Sequence, residues 1–499
     1  MSKTDMLTPS ERKLFTLVSR AAFLNPFSED RKQLDLQITE LPLTTPRKKI
    51  LEAVKEKISQ TVKTFEQKNR ACIKRFDGDD YNLVRHTLLF NVYYNYRNHF
   101  LRLIDDQTVS GEIPCKVLFA KQALKQLADY GFSEADACRY FALIYQMRRA
   151  YYFIEQGLVG TSYCMKQLRL DLWNNVFTYD MGLYEKYLWN RMEDFSTILL
   201  GETGTGKGTA AAAIGRSGFI PFNQKKECFE DSFTSSFIPL NLSQFPESII
   251  ESELFGHKKG SFTGAVDDHK GVFEQCGTYS SIFLDEIGEV SVPVQIKLLQ
   301  ILQERLFSPV GSHKKLRFQG RVIAATNHDI QELRSEGTFR DDFFYRLCSD
   351  TIIVPPLRQR LREDPSELDA LLAHSVERMV GKPSPELIEV VKNVIMRSLG
   401  KDYIWPGNVR ELEQCVRRVL LKRDYSGDEG TRNDDLKTKI TIGIETGTFK
   451  ANELLSNYCT LLYKQYGTFE EVARRTNLDR RTVKKHIFTN NSLVKIFKK

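Results

Sequence analysis

The sequence lacks any apolar run of the about 18 residues that a membrane-spanning helix requires. Its most apolar stretch, residues 88–101, is interrupted by the polar side chains of Asn91, Asn95, Arg97, Asn98 and His99. The N-terminus, Met1 to Asp5, also lacks the apolar segment of a signal peptide. We therefore expect a cytoplasmic protein with no membrane contact.

The cysteines lack the spacing that metal binding or crosslinking needs. Nine of them are scattered between Cys72 and Cys459, with no C-x-x-C pair and no histidine cluster beside them. This spacing argues against a zinc site and against a disulfide framework. We expect reduced thiols, most of them buried.

The chain has little excess charge outside its C-terminal end. The net charge is +8, and residues 431–499 hold 14 Lys and Arg against 7 Asp and Glu, a surplus of 7. A small basic module at one end of a chain indicates a nucleic-acid contact. A solvated charged face is the alternative.

Residues 1–158 are predicted to form an all-α domain. Helix starts are indicated at Thr8-Pro9, Thr45-Pro46 and Ser133, where a capping side chain precedes proline or acidic residues. Strands do not alternate with helices here, which speaks against a phospho-receiver domain. The long helices are expected over residues 48–68, 80–103 and 133–153.

The same region carries aromatic residues at helical spacing. Two interpretations are open: the rings pack the core of a helical bundle, which we favour, or they line a ligand pocket. The residues concerned are Phe90, Tyr93, Tyr94, Tyr96, Tyr140, Phe141, Tyr145, Tyr151, Tyr152 and Phe153.

A glycine-rich segment lies between an apolar run at 198–200 and a helix-favouring run at 209–214. Strand, glycine loop and helix in this order are typical of a phosphate loop, where backbone N–H groups and a helix N-terminus surround an anion. The segment consists of Gly201, Glu202, Thr203, Gly204, Thr205, Gly206 and Lys207. We expect Lys207 to contact the outer phosphates of ATP. A glycine-rich turn that binds no nucleotide is the alternative.

One position departs from the usual phosphate-loop pattern. Gly208 follows the lysine, where a Ser or Thr that holds Mg²⁺ is usual. Thr209 or a water molecule is expected to take that role, so the predicted nucleotide contacts extend through Gly208 and Thr209.

The apolar run 282–284 ends in two acids, Asp285 and Glu286. Together with similar runs at 237–240 and 321–325 it predicts a parallel sheet, which places its chemistry at the carboxyl ends of its strands. We expect Asp285 to hold Mg²⁺, directly or through water, and Glu286 to polarise the water that attacks the terminal phosphate. The alternative is that the two acids cap the next helix.

The tail is predicted to form two short helices around a turn near Asn477. Long cationic and hydrogen-bonding side chains suit base edges and phosphates, which predicts a helix-turn-helix that binds double-stranded DNA. A helical hairpin without DNA is the alternative. The second helix exposes Arg480, Arg481, Thr482, Lys484 and Lys485.

The most distinctive segment is residues 251–265, which contains the loop Gly260, Ser261, Phe262, Thr263, Gly264 and Ala265. With the phosphate loop and the acid pair, it makes the chain resemble the sigma-54-dependent transcriptional activators, the bacterial enhancer-binding branch of the AAA+ ATPases. The family's loop reads G-A-F-T-G-A, so Ser261 replaces an alanine. The resemblance implies that this loop grips sigma-54, with Phe262 central to the contact. It covers about residues 160–421 and a Fis-type tail, but not the first 158 residues.

The resemblance also implies three sensor residues. Asn241 would restrain Glu286 until nucleotide is sensed. Asn327 would be the first sensor, orienting water near the terminal phosphate. Arg410, within residues 405–412, would report on the nucleotide from a helical lid; capping of the lid helices is its alternative role.

Two further arginines, Arg340 and Arg346, match the family's arginine-finger segment. The resemblance implies that they are offered to the nucleotide of a neighbouring subunit, which would make hydrolysis depend on assembly. Surface ion pairs within the chain are the alternative.

The expected architecture is therefore multidomain: an all-α N-terminal domain, an α/β AAA+ phosphate-loop core with a helical lid, and a C-terminal helix-turn-helix. The expected boundaries are 1–158 for the regulatory domain, 159–357 for the ATPase subdomain, 358–423 for the lid, 424–445 for a linker and 446–499 for the DNA-binding domain.

The implied function is promoter opening driven by ATP and Mg²⁺. The tail would bind upstream enhancer DNA, subunits would form a homo-oligomer (a hexamer built from dimers), and hydrolysis would move Phe262 against sigma-54 RNA polymerase holoenzyme. Two alternatives stay open: a DNA-bound regulator with weak or lost ATPase activity, suggested by Gly208, and an AAA+ remodeller of another protein. The target promoters and the signal sensed by residues 1–158 cannot be read from the sequence.

Overall fold

A computed structural model of the chain describes residues 5–400, 403–427 and 449–489, and the single positions 436, 440, 441, 443, 444 and 447. Most of the predicted linker and the last ten residues of the predicted tail domain lie outside the described residues. The chain divides into two compact units. The first takes the chain up to Pro383 with Gly407–Leu412, and the second takes Ser384–Pro406 and the chain from Glu413 onward.

Before the first strand the described chain is helical, as predicted for residues up to 158, and the helical structure continues beyond that position. Its α-helices are α1 (Pro9–Phe23), α2 (Glu29–Thr39), α3 (Arg47–Gln67), α4 (Gly78–Ser110), α5 (Ala120–Asp129), α6 (Glu134–Gly157), α7 (Tyr163–Phe177) and α8 (Met181–Leu183).

Local capping explains where these helices begin. Thr8 and Glu11 form a reciprocal pair of side-chain to backbone hydrogen bonds at the start of α1, and Ser133 caps α6. These bonds satisfy N–H groups that a helix start leaves unpaired. Both predicted starts are confirmed. The third is corrected: the residue before α3 is Pro46, with no side-chain cap, so Thr45 does not cap this helix.

The α/β core contains one large sheet and two short hairpins. Its strands are β1 (Thr197–Leu200), β2 (Phe222–Asn223), β3 (Cys228–Phe229), β4 (Phe237–Asn241), β5 (Ser281–Asp285), β6 (Leu306–Phe307), β7 (Leu316–Arg317), β8 (Arg321–Thr326) and β9 (Asp350–Ile353). Five of them form a sheet in the order β4-β5-β8-β1-β9, with every neighbouring pair parallel. This confirms the three predicted strands that end in polar residues, and it gathers those ends at one edge.

Helices connect these strands and follow them. They are α9 (Lys207–Gly215), α10 (Glu247–Phe255), α11 (Val272–Gln275), α12 (Val292–Glu304), α13 (Ile330–Ser335), α14 (Asp341–Leu347), α15 (Leu357–Glu363), α16 (Glu367–Val380), α17 (Pro385–Ser398) and α18 (Asn408–Lys422). The predicted helical character after the sheet is confirmed.

The N-terminal helices and the α/β core share one hydrophobic core. Buried side chains of α1, α3, α4, α6 and α7 form a continuous cluster with Leu199, Ile214 and Ile323 of the core. The alternation of strands and helices starts at Thr197, later than the predicted start near residue 159, because α7 and the following turns are still helical. The predicted regulatory region is therefore joined to the core by packing.

The tail, within the second unit, contains α19 (Ala451–Tyr466), α20 (Phe469–Thr476) and α21 (Arg480–Thr489). They enclose a small cluster of buried residues: Cys459, Leu462, Val472, Val483 and Ile487. Asn477 ends α20 in the left-handed conformation, with φ 53°, where the turn was predicted.

Two general expectations can be compared with the structure. Among the described residues, no helix has the length and apolar character that crossing a bilayer demands. All nine cysteines are free thiols, but only Cys276, Cys415 and Cys459 are buried, so fewer are buried than predicted.

Candidate functional site

The phosphate loop joins β1 to α9. Gly204 and Gly206 have positive φ angles of 79° and 104°, a conformation that glycine adopts at least cost. A Cβ atom on Gly204 would also lie 2.3 Å from the carbonyl oxygen of Gly407. Both positions therefore require glycine. α9 begins directly at Lys207, so the loop N–H groups and the helix N-terminus face the same space.

Lys207 is buried at the start of α9. Its Nζ donates to the carbonyl oxygens of Gly201 at 2.7 Å and Glu202 at 3.2 Å. Burial lowers the pKa of Lys207, and the nearby charges of Glu286 and Asp285 act in the opposite direction. The ammonium group is thus held inside its own loop by carbonyls that a phosphate oxygen can replace.

The two acids lie at the carboxyl end of β5. Burial raises the pKa of Asp285, although the charge of Lys207 opposes the shift. Glu286 has a left-handed backbone, with φ 57°, and its buried Oε2 has no hydrogen-bond partner among the described residues. A left-handed non-glycine residue and an unpaired buried oxygen each cost free energy, and such features concentrate at functional sites.

The predicted sensors lie on the strands beside β5 and β1. Asn327 follows β8, and its Nδ2 donates to the Thr203 hydroxyl of the phosphate loop at 3.0 Å. Asn241 ends β4 in register with Asp285, but its Oδ1 accepts hydrogen bonds from the backbone and side chain of Ser243, at 3.0 and 2.8 Å. Asn327 is therefore joined to the loop, whereas the restraint of Glu286 by Asn241 stays a prediction.

Arg410 reaches the phosphate loop from α18. Its backbone N–H donates to the carbonyl of Gly204 at 3.3 Å. Its positive charge opposes the rise that burial causes in the pKa of Asp285, and it adds to the lowering that burial causes in the pKa of Lys207. The exposed guanidinium thus lies close enough to the site to influence its charges, which agrees with the predicted position of Arg410.

Three residues hold the phosphate loop to the following helices, and we call them the loop anchor: Glu202, Arg358 and Asn408. Arg358 forms a two-bond ion pair with Glu202, at 2.5 and 2.7 Å. Asn408 donates to Glu202 and to the Thr203 carbonyl, at 3.1 Å each, and accepts from the Leu357 N–H at 2.8 Å. The hydrogen bonds from Arg358 are the largest cause of the lowered pKa of Glu202.

The phosphate-loop pattern predicts a nucleotide contact for Glu202, and no pattern in the sequence predicts a role for Arg358 or Asn408. Asn408 lies two positions before Arg410, within residues 405–412, and this proximity is its only signal in the sequence. No pattern marked Arg358, because its partner is 156 residues away.

The loop from Gly260 to Ala265 is closed at its base. The Gly260 N–H donates to the Ala265 carbonyl at 2.9 Å, and Ala265 is buried. Phe262 lies at the tip with 41% of its surface exposed. Its ring and that of His257 are arranged edge to face, with 4.9 Å between the ring centres. An aromatic side chain this exposed is available to a partner.

Ser261, which replaces the family's alanine, packs against the core side of this loop. Its hydroxyl oxygen is buried without a hydrogen-bond partner in the described part of the chain, and Gly311 leaves space for it, since a Cβ there would lie 2.5 Å from the Ser261 Cβ. The serine therefore fits sterically but gains no bond for its hydroxyl.

Comparison with protein families matches residues 183–353 to the sigma-54 interaction domain. Residues 183–353 therefore resemble a sigma-54 interaction domain. The five strands of the parallel sheet and the phosphate loop all lie within the matched residues.

Curated relatives that match this part of the chain are named as regulatory proteins. The chain is 40% identical over 226 residues to the regulatory protein AtoC of Escherichia coli strain K12, covering 45% of each protein. It is 43% identical over 242 residues to the Nif-specific regulatory protein of Azotobacter vinelandii, covering 48% of this chain and 42% of that protein. The chain thus matches less than half the length of these relatives.

Among solved structures, NtrX from Brucella abortus in complex with ATP aligns with 74% of this chain and 80% of its own chain, at 19% identity and a TM-score of 0.40.

The two arginines predicted for a neighbouring subunit have partners within this chain. Arg340 forms two hydrogen bonds with the Asp342 carboxylate, at 3.0 and 2.7 Å. Arg346 donates twice to the carbonyl of Leu302, at 2.8 and 2.6 Å. Arg340 and Asp342 are partly exposed, and such pairs contribute little to stability, so Arg340 can be released at low cost.

The residues around Lys207 fit Mg²⁺ bound together with a nucleotide. Within the described ranges, no group of three or more His, Cys, Asp or Glu side chains is arranged for a metal. Mg²⁺ needs fewer, since it takes one or two carboxylates and completes its shell with water and phosphate oxygens. Asp285 at the end of β5 offers such a carboxylate, and Thr209 offers an exposed hydroxyl in the first turn of α9. A Cβ atom added to Gly208 would have only a ring carbon of Phe283 within 4 Å, at 4.0 Å, so the space beside Gly208 is open.

In the tail, α21 presents the predicted DNA-binding residues on its surface. Arg480, Arg481, Lys484 and Lys485 are exposed, and Thr482 is half-buried. Arg480 forms an ion pair with Glu470 at 3.0 Å, and the Lys484 Nζ lies 5.6 Å from the ring centre of Phe469. These exposed contacts are weak enough to exchange for phosphates.

Proposed function

We propose that this protein is an ATP-hydrolysing, sigma-54-dependent transcriptional activator. It binds upstream DNA through its tail, assembles into a ring, and uses hydrolysis to remodel sigma-54 RNA polymerase so that the promoter opens. The observation that carries the proposal is the buried, unpaired Glu286 oxygen beside the phosphate loop of a sigma-54 interaction domain.

The roles in hydrolysis follow from the positions of the side chains. The phosphate loop and Lys207 bind the phosphates of ATP, and Asp285 holds Mg²⁺ with the help of Thr209 or water. Bound Mg²⁺ neutralises charge that develops on the phosphate oxygens. Glu286 accepts a proton from the attacking water, because its Oε2 has no hydrogen-bond partner among the described residues. Asn327 positions that water from the end of β8.

Assembly completes the site in this proposal. Arg340 exchanges its exposed ion pair with Asp342 for a phosphate of the neighbouring subunit, and Arg346 supports the same interface. An arginine provided from another subunit raises the rate by roughly 10³- to 10⁵-fold. Hydrolysis is therefore expected to rise with protein concentration, reflecting a homo-oligomer such as a hexamer.

In this proposal, Phe262 transmits the effect of ATP hydrolysis to the polymerase. Gly260 and Gly264 both have positive φ angles, 81° and 103°, and a Cβ atom added to either would meet no described residue within 4 Å. The loop thus has room to move around its two glycines, and the exposed ring supplies an apolar contact for sigma-54. Asn241 links the nucleotide state to Glu286, and Arg410 links it to the lid.

Hydrolysis is tested with Glu286→Gln in the full chain. We expect ATP binding to persist while the hydrolysis rate falls by at least about 10²-fold, the scale of a general base. Glu289→Gln is the matched control, since Glu289 is an exposed acid in the same segment. Equal hydrolysis rates in Glu286→Gln and the unaltered protein would remove Glu286 from the mechanism.

Coupling is tested with Phe262→Ala. We expect ATP hydrolysis to persist and promoter opening by sigma-54 holoenzyme to be lost. Val266→Ala is the control, because Val266 is an exposed apolar residue just outside the loop. Promoter opening by Phe262→Ala at the normal rate would instead indicate a remodeller of another protein. Absence of hydrolysis in the concentrated, DNA-bound protein would indicate a regulator that has lost ATPase activity.

A further inference from the structure

The N-terminal helices line a cavity, partly open to solvent, that the proposed function does not use. Its volume is about 320 Å³, and its walls come from α1, α2, α3, α4, α6 and α7. Small-molecule sites in proteins have volumes of about 300 to 1,000 Å³. The cavity is therefore large enough for a small organic molecule, and none of its lining residues belongs to the phosphate loop.

Aromatic rings form much of the cavity wall. Phe90, Tyr93, Tyr94, Tyr140 and Tyr151 line it. Other aromatic residues of the region pack the shared core: Phe141 and Tyr145 both stack against Phe229, at 6.0 and 4.1 Å between ring centres. Both interpretations left open by the sequence therefore apply, each to a different subset of the aromatic residues.

The acidic groups at the cavity are already paired. Asp35 accepts from the Arg31 guanidinium at 2.9 Å. Glu185 accepts from the Tyr140 hydroxyl at 2.5 Å and lies 3.5 Å from Arg85. Neither carboxylate is available to balance a further positive charge at the wall.

Three arginines at the cavity, Arg47, Arg97 and Arg148, have no carboxylate partner among the described residues, and Arg47 donates to the Pro26 carbonyl. The Arg97 guanidinium lies 5.5 Å from the ring centre of Tyr94, and that of Arg148 lies 5.6 Å from the ring centre of Tyr151. Within the part of the chain that the structure describes, neither forms a hydrogen bond or ion pair, and the Arg148 Nε is buried without a partner. An unpaired buried donor on a cation is costly, which makes Arg148 suited to an anion, and the half-buried Arg97 adds a second positive charge at the wall.

His86 adds no competing charge. Burial, reinforced by the charge of Arg85, lowers the pKa of His86 to about 3. Its Nδ1 lies 2.8 Å from the Ser19 hydroxyl. The ring is neutral at physiological pH, so the excess positive charge at the wall comes from the arginines.

We propose that this cavity is a binding site for a small organic anion with an aromatic or apolar body. The rings of the wall surround the body, and Arg97 and Arg148 pair with the anionic group. The acceptor oxygens of the ligand satisfy the donors that the protein leaves unpaired.

The helix that carries Arg148 also contacts the ATPase core. On another face of α6, the wholly buried Arg149 donates to the carbonyls of Arg216 and Gly218, at 2.7 and 2.6 Å. Gln146 donates to the Ser217 carbonyl at 2.9 Å. These three acceptors directly follow α9, the helix that begins at Lys207. A ligand that repositions α6 therefore acts on the phosphate-loop helix through direct hydrogen bonds.

The test compares two fluorescent probes with the same rings in the full chain. Anilinonaphthalene sulfonate is anionic, and phenylnaphthylamine lacks the sulfonate. We expect Arg148→Met to weaken sulfonate binding about tenfold, equivalent to about 1.4 kcal/mol, and to leave the affinity for the neutral probe within about twofold. Met147→Trp, which places a larger side chain at the wall, should reduce the binding of both probes.

Arg139→Met is the matched control. Arg139 lies on the same helix, 4.8 Å from the ring centre of Tyr140, and it pairs with Asp136 outside the cavity wall. Arg97→Met serves as a second variant if Arg148→Met does not fold. Equal weakening by Arg139→Met, or undiminished binding to Met147→Trp, would overturn the proposal. Because the readout is probe fluorescence, its outcome is independent of ATP hydrolysis.

Discussion

Asn408 of the loop anchor allows a quantitative test, because its backbone and side-chain contributions can be separated. It is fully buried, has a left-handed backbone with φ 53°, and makes the three hydrogen bonds to Glu202, Thr203 and Leu357. Loss of three bonds costs about 3 kcal/mol at about 1 kcal/mol each. The left-handed backbone adds about 1 kcal/mol for alanine but not for glycine.

Asn408→Ala is therefore expected to lower the free energy of unfolding by about 4 kcal/mol, and Asn408→Gly by about 3 kcal/mol. Urea titration followed by circular dichroism measures both values. A fluorescent ATP analogue should bind more weakly to each variant, since the phosphate loop loses its contact with α18. If Asn408→Gly unfolds within about 0.5 kcal/mol of the unaltered protein, the hydrogen bonds are not stabilising and the assigned role of the anchor is wrong.

Three further changes test other parts of the structure. Arg149→Met should destabilise the protein by about 3 to 6 kcal/mol in urea titration, since two bonds from a buried cation are lost; a change below about 1 kcal/mol would contradict the contact. Burial lowers the pKa of His86 from an ordinary 6.5 to about 3 in the folded protein, so between these pH values the unfolded state binds more protons and the free energy of unfolding should fall as the pH drops. His86→Gln should reduce this dependence of the melting temperature on pH. An unchanged dependence would exclude His86 as its source. Gly204→Ala should abolish binding of the ATP analogue, because the new Cβ meets Gly407, while Gly260→Ala should not; equal affinities would contradict the close approach.

The central site was accessible to sequence reasoning because its elements are local in the chain. A strand, a glycine loop and a helix are contiguous around Lys207, and each further strand carries its polar residue directly at its end, as with Asp285. Parallel pairing then brings these ends together, so the α/β core and the general position of the site follow from short patterns. The roles of the individual side chains stay predictions.

The loop anchor, with its ion pair between Arg358 and Glu202, could not be predicted from local sequence patterns in the same way. Arg358 contacts Glu202 only because β9, which precedes it, pairs with β1 at the edge of the sheet. No local pattern gives that strand order. The error in the boundary predicted at residue 158 has a similar cause. α7 has the apolar spacing of a core helix, but only the fold reveals that Trp173 of this helix belongs to the same hydrophobic cluster as the N-terminal helices.

This shared core changes how control by the N-terminal region must be tested. Deletion of residues 1–158 would remove α6 and uncover Ala210 and Ile214 of α9, which are 0% and 2% exposed in the intact chain. The deletion would also leave the carbonyls after α9 without Arg149. An inactive truncated protein would therefore report loss of packing around the phosphate-loop helix as readily as loss of activation. Arg148→Met avoids this ambiguity, because Arg148 lies at the cavity wall without a hydrogen-bonded partner among the described residues, so its removal can change the response to a ligand while the core remains packed.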